Sequence, residues 1–184
     1  MNIYLDATTL IALGEVDELD LLTSFDGDLC IRKPVADEVT IEPSNNNLQR
    51  FRDRHRLPLV SVGGNVLQES QNAKEEAQRI LDEDEVNGDV AIIQSVLLGE
   101  YKGLESAVVS DALRLRTVAE GLGAHVTGTI GVVVRAVAEG ELTEQEAKEL
   151  VRRLDSRGLH TTGELREKAD ELIEKAAREN EDEN

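Results

Sequence analysis

The sequence contains very few aromatic and sulfur-containing residues. Its 184 residues include no Trp, two Tyr, two Phe, one Met and one Cys. Because Cys30 is the single cysteine, an intrachain disulfide and a cysteine-based metal site are both excluded. Cys30 lies in a short apolar stretch, which favours its interpretation as a small core residue.

Long apolar runs and a basic N-terminus are also missing. The first ten residues, MNIYLDATTL, carry an acid at position 6 and no early lysine or arginine, which is not the pattern of a secretory signal peptide. Nowhere does the sequence contain the roughly eighteen consecutive apolar residues that a membrane-spanning helix requires. We therefore expect a cytoplasmic protein with no membrane partner.

Basic residues are scarce relative to acids. The sequence has 38 Asp and Glu against 20 Lys and Arg, and its formal net charge is −18. This balance disfavours a passive nucleic-acid binder and a protein that binds anionic membranes. Two explanations stay open: an acidic cluster that binds metal cations, or a surface adapted to high salt, where repulsion is screened. The acid-rich, lysine-poor and aromatic-poor composition resembles that of proteins from salt-loving archaea. If the surface is salt-adapted, the net charge is a weaker argument against nucleic-acid binding, because salt screens it.

What the sequence does contain is enough apolar residues for a buried core, 40% of the chain, in a length that suits one domain with a terminal extension. Short apolar runs alternate with segments of helical periodicity, which favours an α/β fold with a central parallel sheet covered on both faces. The predicted strands are residues 3–5, 29–31, 57–62, 107–109 and 125–127. The predicted helices that follow or separate them are residues 8–13, 17–24, 34–39, 66–84, 89–98, 111–122 and 129–138.

The C-terminal part of the sequence predicts two more helices. Residues 143–154 begin with Thr143 and Glu146 at capping-box spacing, and residues 162–178 begin with Thr162. We assign residues 1–142 to the α/β domain and residues 143–184 to a helical extension, and we expect the charged tail 179–184 to be frayed.

A polar segment, residues 42–56, carries Arg50, Arg52, Arg54 and Arg56 in alternation. These arginines predict either a solvated segment that balances nearby acids or contacts to the phosphates of RNA, since arginine is a good phosphate ligand.

Four acids stand where an α/β sheet places its ligand site. Asp6 and Asp111 follow predicted strands, and ligands bind at the carboxyl ends of strands in such sheets. Glu38 and Asp89 lie in apolar helices, where a lone acid is costly to bury. Acids that converge raise each other's pKa unless a cation holds them, and carboxylates suit Mg²⁺ or Mn²⁺. Water on such a metal can attack a phosphodiester.

Each of these acids also has a purely structural interpretation. Asp6, Asp89 and Asp111 lie where they could cap a helix, and Glu38 could be one more charge of an acidic surface. Thr8 and Thr9, close behind Asp6, could orient its carboxylate or a water, or serve as ordinary helix-start hydroxyls.

Four segments together resemble a PIN domain. IYLDATTLIALGEVDELDLL is similar to the family's opening strand, Asp and helix, and PVADEV to the segment that carries its second acid. GDVAII resembles its third segment, and VVSDALRLRTVAEGLGAHVTGTIGVVVRA its fourth, including the Gly-Thr turn. The match keeps the family's order over about residues 1–140, and its last part, which contains the Gly-Thr turn, resembles the archaeal and bacterial branch described as PIN-like predicted nucleic-acid-binding proteins.

The resemblance implies a three-layer α/β/α fold and a Mg²⁺- or Mn²⁺-dependent endoribonuclease, as in VapC-type toxins. It implies that Asp6, Glu38, Asp89 and Asp111 hold the metal and carry catalysis. RNA, an antitoxin protein and a second copy of the chain are the implied partners. One departure matters: the third segment of this branch often reads Gly-Glu-x-Glu-Ala-Ile, and Ala91 stands in place of its second acid. The alternative is therefore a catalytically weakened PIN-like module for nucleic-acid binding or protein interaction.

Overall fold

The computed structural model describes residues 1–60, 67–159 and 162–183. The strands in this part of the chain are β1 (Asn2–Leu5), β2 (Asp28–Arg32), β3 (Leu59–Val60), β4 (Ser106–Val109) and β5 (His125–Thr127). Its helices are α1 (Ala7–Glu15), α2 (Lys33–Glu38), α3 (Ser44–His55), α4 (Leu67–Leu81), α5 (Gly88–Tyr101), α6 (Leu113–Gly121), α7 (Thr129–Ala138), α8 (Glu144–Ser156) and α9 (Gly163–Glu183). A 3₁₀ helix spans Leu19–Ser24.

The strands form one parallel sheet in the order β3-β2-β1-β4-β5. Its centre is β1, which pairs Ile3 with Leu29 of β2 and Leu5 with Val109 of β4. Parallel strands need crossover connections, and helices supply them here, as expected for strands that are buried on both faces. The predicted α/β fold with a central parallel sheet is confirmed.

Two groups of helices cover the sheet. The first surrounds α5, whose residues are almost all apolar or small and which contacts α2, α4 and α6. On that face the Tyr4 hydroxyl lies 3.5 Å from the Ser95 carbonyl oxygen of α5. The second group surrounds α7, which contacts α1, α8 and α9. This layering is that of an α/β/α sandwich, the predicted architecture.

The two C-terminal helices share the hydrophobic core of the sheet domain. Leu150 and Leu154 of α8 and Ile173 of α9 are at most 2% exposed and belong to the same buried cluster as the strands. Thr143 begins α8 with the predicted capping box, because its hydroxyl accepts from the Glu146 amide while the Glu146 carboxylate accepts from the Thr143 amide. The division of the chain at residue 142 stays a prediction.

The structure differs from the sequence prediction in three places. The polar segment contains a helix, α3, which the hydrophobic pattern did not indicate. The predicted strand 57–62 is reduced to Leu59–Val60, and residues 61–62 lie outside the described residues. The charged tail, for which the sequence predicted no element, is part of α9 as far as Glu183.

In the described ranges, none of the helices is both long enough and apolar enough to cross a membrane.

Candidate functional site

The carboxyl ends of β1 and β4 bring two of the four predicted acids to one edge of the sheet. Asp6 follows β1 directly, and its amide donates to the Val109 carbonyl at the end of β4, at 3.0 Å. Ser110 and Asp111 are the next residues after β4. Since neighbouring parallel strands end at the same edge, Asp6 and Asp111 lie side by side.

The Asp6 carboxylate is buried and held from three sides. Asp6 is only 2% exposed. Its Oδ1 accepts from the Ala7 amide at 2.7 Å, and its Oδ2 accepts from the hydroxyls of Thr8, at 2.6 Å, and Ser110, at 2.7 Å. These three donors compensate for the lost hydration of the carboxylate and fix its orientation. The sequence left open whether Thr8 orients Asp6 or is an ordinary helix-start hydroxyl, and its hydrogen bond to Oδ2 favours the first interpretation.

Asp111 is joined to this arrangement through its backbone. Its amide donates to Thr8 Oγ1, at 3.1 Å, so one hydroxyl contacts both acidic residues. The Asp111 carboxylate points towards the start of α7, where its Oδ1 accepts from the Thr129 amide at 2.8 Å and its Oδ2 accepts from the Thr129 hydroxyl. A negative charge at a helix N-terminus is favourable, so Asp111 serves as a cap of α7 across 18 residues of sequence.

Gly128, the N-cap of α7, is needed for that contact. A Cβ atom at position 128 would lie 2.7 Å from Asp111 Oδ1, closer than such atoms come in real structures. A glycine therefore lets the backbone approach the carboxylate, and it explains the Gly-Thr pair that the sequence shows at this point.

Glu38 and Asp89 meet at the start of α5. Glu38 ends α2, and its Oε1 accepts from the Gly88 amide, the first residue of α5, at 2.6 Å. Asn87 caps the same helix, because its Oδ1 accepts from the Val90 amide at 2.9 Å. Asp89 follows in the first turn, so both acids stand at the positive end of the α5 dipole.

The pKa of Asp89 shows that three of the acids interact. Burial raises this pKa from 3.8 to about 6, with further increases from the negative charges of Asp6 and Glu38. The positive charge of Arg114 opposes the rise. Because the pKa is raised, protonation of Asp89 favours the metal-free fold; this contribution is present below about pH 4 and is lost as the pH rises through about 6.

The donor chemistry fits a hard divalent cation, although the carboxylates are not drawn together around one. All the candidate donors are carboxylate and hydroxyl oxygens, and the charges of Asp6 and Glu38 both oppose a negative charge on Asp89. In the described part of the chain, no three His, Cys, Asp or Glu side chains are close enough together to hold one ion. Such a group suits an ion with one or two direct carboxylate ligands and several waters, which is the usual coordination of Mg²⁺.

Sequence reasoning missed two side chains of this site, Ser110 and Thr129. Ser110 is fully buried and links Asp6 to the Ala112 amide, to which its Oγ lies at 3.0 Å. Thr129 holds Asp111. Their positions carried a signal, because one hydroxyl directly precedes the acid at a strand end and the other opens the helix after a glycine.

Two of the three arginines of α3 pair with acids of the chain, whereas the buried Nε of Arg52 has no hydrogen-bond partner among the described residues. Arg50 pairs with Asp17 at 3.0 Å, and Arg54 pairs with Asp20, whose other oxygen lies 2.7 Å from His55 Nε2. Of the two interpretations of this segment, these ion pairs favour the balancing of nearby acids.

The residue that departs from the family pattern, Ala91, lies in the first turns of α5. It is 1% exposed, so an acid in its place would be buried, and it would not face Asp89, because residues two apart on a helix point in different directions. The structure therefore has a single acid, Asp89, in this segment of α5 near Asp6 and Glu38.

The fold defines a class of protein: an α/β/α sandwich with a parallel sheet, in which acidic residues lie at the carboxyl ends of the central strands. The chain matches the DUF3368 family model, which is described as a PIN domain, over residues 2–175. Because this match covers most of the chain, the protein belongs to that PIN-domain family, whose fold is of the nuclease type. The match includes α8 and most of α9. No curated protein and no solved structure matches the chain.

Proposed function

We propose that this protein is a Mg²⁺- or Mn²⁺-dependent endoribonuclease, and that Asp6, Glu38, Asp89 and Asp111 hold the metal. The observation that carries the proposal is the placement of Asp6 and Asp111 at the carboxyl edge of a PIN-domain sheet, with Glu38 and Asp89 at the start of α5. Like charges brought together at such a place are stabilised by a cation. PIN domains generally use divalent metals, which supports the same assignment.

Each acid has a distinct part in this proposal. Asp6 is oriented by its three hydrogen bonds and supplies a fixed negative charge at the centre. Glu38 and Asp89 supply charges from the start of α5, and Asp111 completes the set beside Thr8. When bound, the divalent ion supplies an acidified water and stabilises the charge that develops on the phosphate.

A second candidate function is RNA binding or protein interaction without cleavage. Two observations favour it: Ala91 in place of an acid, and the absence of three convergent metal ligands among the described residues. An antitoxin partner, a homodimer and a cytoplasmic location follow from the family resemblance and the sequence, and they stay predictions.

The direct test is cleavage of a single-stranded RNA by the wild type with Mn²⁺ and with a chelator. We expect internal cleavage that requires Mn²⁺ or Mg²⁺. Asp111→Asn, purified in parallel, is the negative control, because an amide keeps both contacts to Thr129 while it removes the charge. Binding of RNA without cleavage would favour the second candidate. Equal cleavage by wild type and Asp111→Asn would contradict the proposed role of Asp111.

A further inference from the structure

A groove of about 460 Å³ opens beside Asp111, one of the four candidate acids. Thr8 and Asp111 line one end of it, so the groove begins at the hydroxyl that contacts both Asp6 and Asp111. Arg157 and Leu159, which follow α8, line the opposite wall. The volume is within the range of ligand-binding clefts.

One face of α1 forms the floor of the groove. Thr8, Ile11, Ala12 and Glu15 are spaced three and four residues apart, so their side chains follow one another along the helix. Thr8 is exposed and the other three are partly exposed, whereas Leu10 and Leu13 on the other side of α1 are fully buried. Seven residues of helix span about 10 Å, so the floor leads from the acids past an apolar stretch to Glu15.

The opposite wall is shaped by the end of α8. Arg157 is the C-cap residue, and Gly158 follows with a φ of 112°, a conformation that residues with a Cβ rarely adopt. The chain can then turn back, and the Leu159 amide donates to the Leu154 carbonyl at 3.1 Å. This turn places an arginine and an apolar side chain over the floor of the groove.

Arg157 is held only loosely. Its side chain is 62% exposed, and its Nη1 lies 3.9 Å from Glu15 Oε2. Arg153, one turn earlier, contrasts with it, because its guanidinium is 3.0 Å from Glu18 and also donates to the Val16 carbonyl at 2.7 Å. Among the described residues, Glu15 is the only charged partner of Arg157, so its planar fork is accessible to an incoming anion.

We propose that this groove is a nucleotide subsite, which binds the nucleotide next to the cleaved phosphodiester of a single-stranded RNA. Arg157 contacts its phosphate, and Ile11, Ala12 and Leu159 pack against its sugar and base. The inference rests on the proposed function, because the groove is continuous with Thr8 and Asp111. The order of groups along the groove suits a nucleotide: Arg157, next to Glu15, lies at one end, apolar side chains follow, and Asp111 lies at the end where the proposed metal would bind.

Arg157→Gln is the variant that tests the phosphate contact, and Arg152→Gln is its matched control. Both side chains are more than 60% exposed, and Arg152 pairs with Glu149 on the same helix but does not line the groove. We expect Arg157→Gln to raise the KM for a short RNA about 5- to 10-fold with kcat within about 2-fold. The slope of log KM against log[KCl] should fall by about 0.7, the value for one lost phosphate contact on a single strand.

Two further variants separate the parts of the groove. Arg157→Lys keeps the charge without the fork and should restore the salt slope but only part of the affinity. Ala12→Leu fills the floor at a partly exposed helix position and should raise KM while it leaves the salt slope unchanged.

The outcomes distinguish the groove from the proposed function. If the wild type cleaves RNA and Arg157→Gln has the same KM and salt slope, the subsite is wrong while the function stands. If Arg157→Gln and Arg152→Gln change the KM and the salt slope equally, the subsite is also overturned, because the effect would come from the loss of a positive charge anywhere on the surface. If the wild type does not cleave RNA, the proposed function fails. The subsite is then tested by the binding of the same RNA, measured by fluorescence anisotropy. Equal Kd values for the wild type and Arg157→Gln would overturn the subsite.

Discussion

Asp6→Asn is expected to lower the rate of RNA cleavage by about 100-fold or more without unfolding the protein. The loss follows from the missing negative charge at the centre of the acidic group. Removal of one group that stabilises the transition state electrostatically typically lowers the rate by about this factor. The fold should tolerate the change because the amide can reuse every contact. Its oxygen still accepts from the Ala7 amide, and its NH₂ donates to the hydroxyl oxygens of Thr8 and Ser110.

The control for Asp6→Asn is Asp28→Asn. Asp28 begins β2 and is exposed at the amino edge of the sheet, opposite to the acids, so the variant makes the same charge change elsewhere. Single-turnover cleavage with Mn²⁺ and the far-ultraviolet circular dichroism of each variant are the measurements. A rate for Asp6→Asn within a few-fold of the Asp28→Asn rate would contradict the role of Asp6.

Molar KCl is expected to raise the melting temperature by about 10 °C, which corresponds to about 3 kcal/mol for a chain of this size. The net charge of −18 repels itself, and the screening length shrinks from about 10 Å at 0.1 M salt to about 3 Å at 1 M. Salt also weakens the ion pairs, but most of these are exposed and each contributes at most about 1 kcal/mol.

Thermal melts in rising KCl measure this effect, and melts in sucrose provide the uncharged control for stabilisation by excluded solutes. A melting temperature that is flat between dilute buffer and molar KCl would remove the salt-adapted surface as the explanation of the acidity. The excess of acids would then require a functional cause.

The strand and acid pattern could be predicted because it depends on short-range chemistry. Each apolar run is followed by an acid: Asp6 follows Ile3, Tyr4 and Leu5, and Asp111 comes shortly after Val108 and Val109. The hydrophobic pattern predicts where each strand ends, and in a parallel sheet those ends lie at one edge. That Asp6 and Asp111 come side by side then follows from the pairing of β1 with β4.

Helix α3 could not be predicted in the same way, because tertiary contacts stabilise it. Its sequence, SNNNLQRFRDRH, is strongly polar, and only Leu48 and Phe51 provide a buried apolar pair at helical spacing. The rest comes from α1: Ser44 Oγ donates to the Ile11 carbonyl, and Asn47 Nδ2 donates to the Gly14 carbonyl at 2.7 Å. Such contacts across about 33 residues leave no periodic signal in the sequence.

The direction of the Asp111 carboxylate also depended on packing. The sequence offered two interpretations, a cap of its own helix or a member of an acidic cluster. The structure shows a cap of a different helix, α7, because Gly128 lets the start of that helix approach. The pattern of acids predicted which residues meet at the edge of the sheet. The tertiary structure determines which of their carboxylate oxygens accept hydrogen bonds from the protein.

Manganese titration by calorimetry, at about pH 5 and about pH 7.5, tests most directly whether these acids hold a divalent cation. We expect binding at or below millimolar Mn²⁺ by the wild type at the higher pH. At the lower pH binding should be about 10-fold weaker and should release protons, because the pKa of Asp89 is about 6 and its proton competes with the metal. Asp89→Asn should bind more weakly and lose most of this pH dependence, while Asp28→Asn should bind as the wild type does. Absence of any Mn²⁺ binding by the wild type at millimolar concentration would contradict the account.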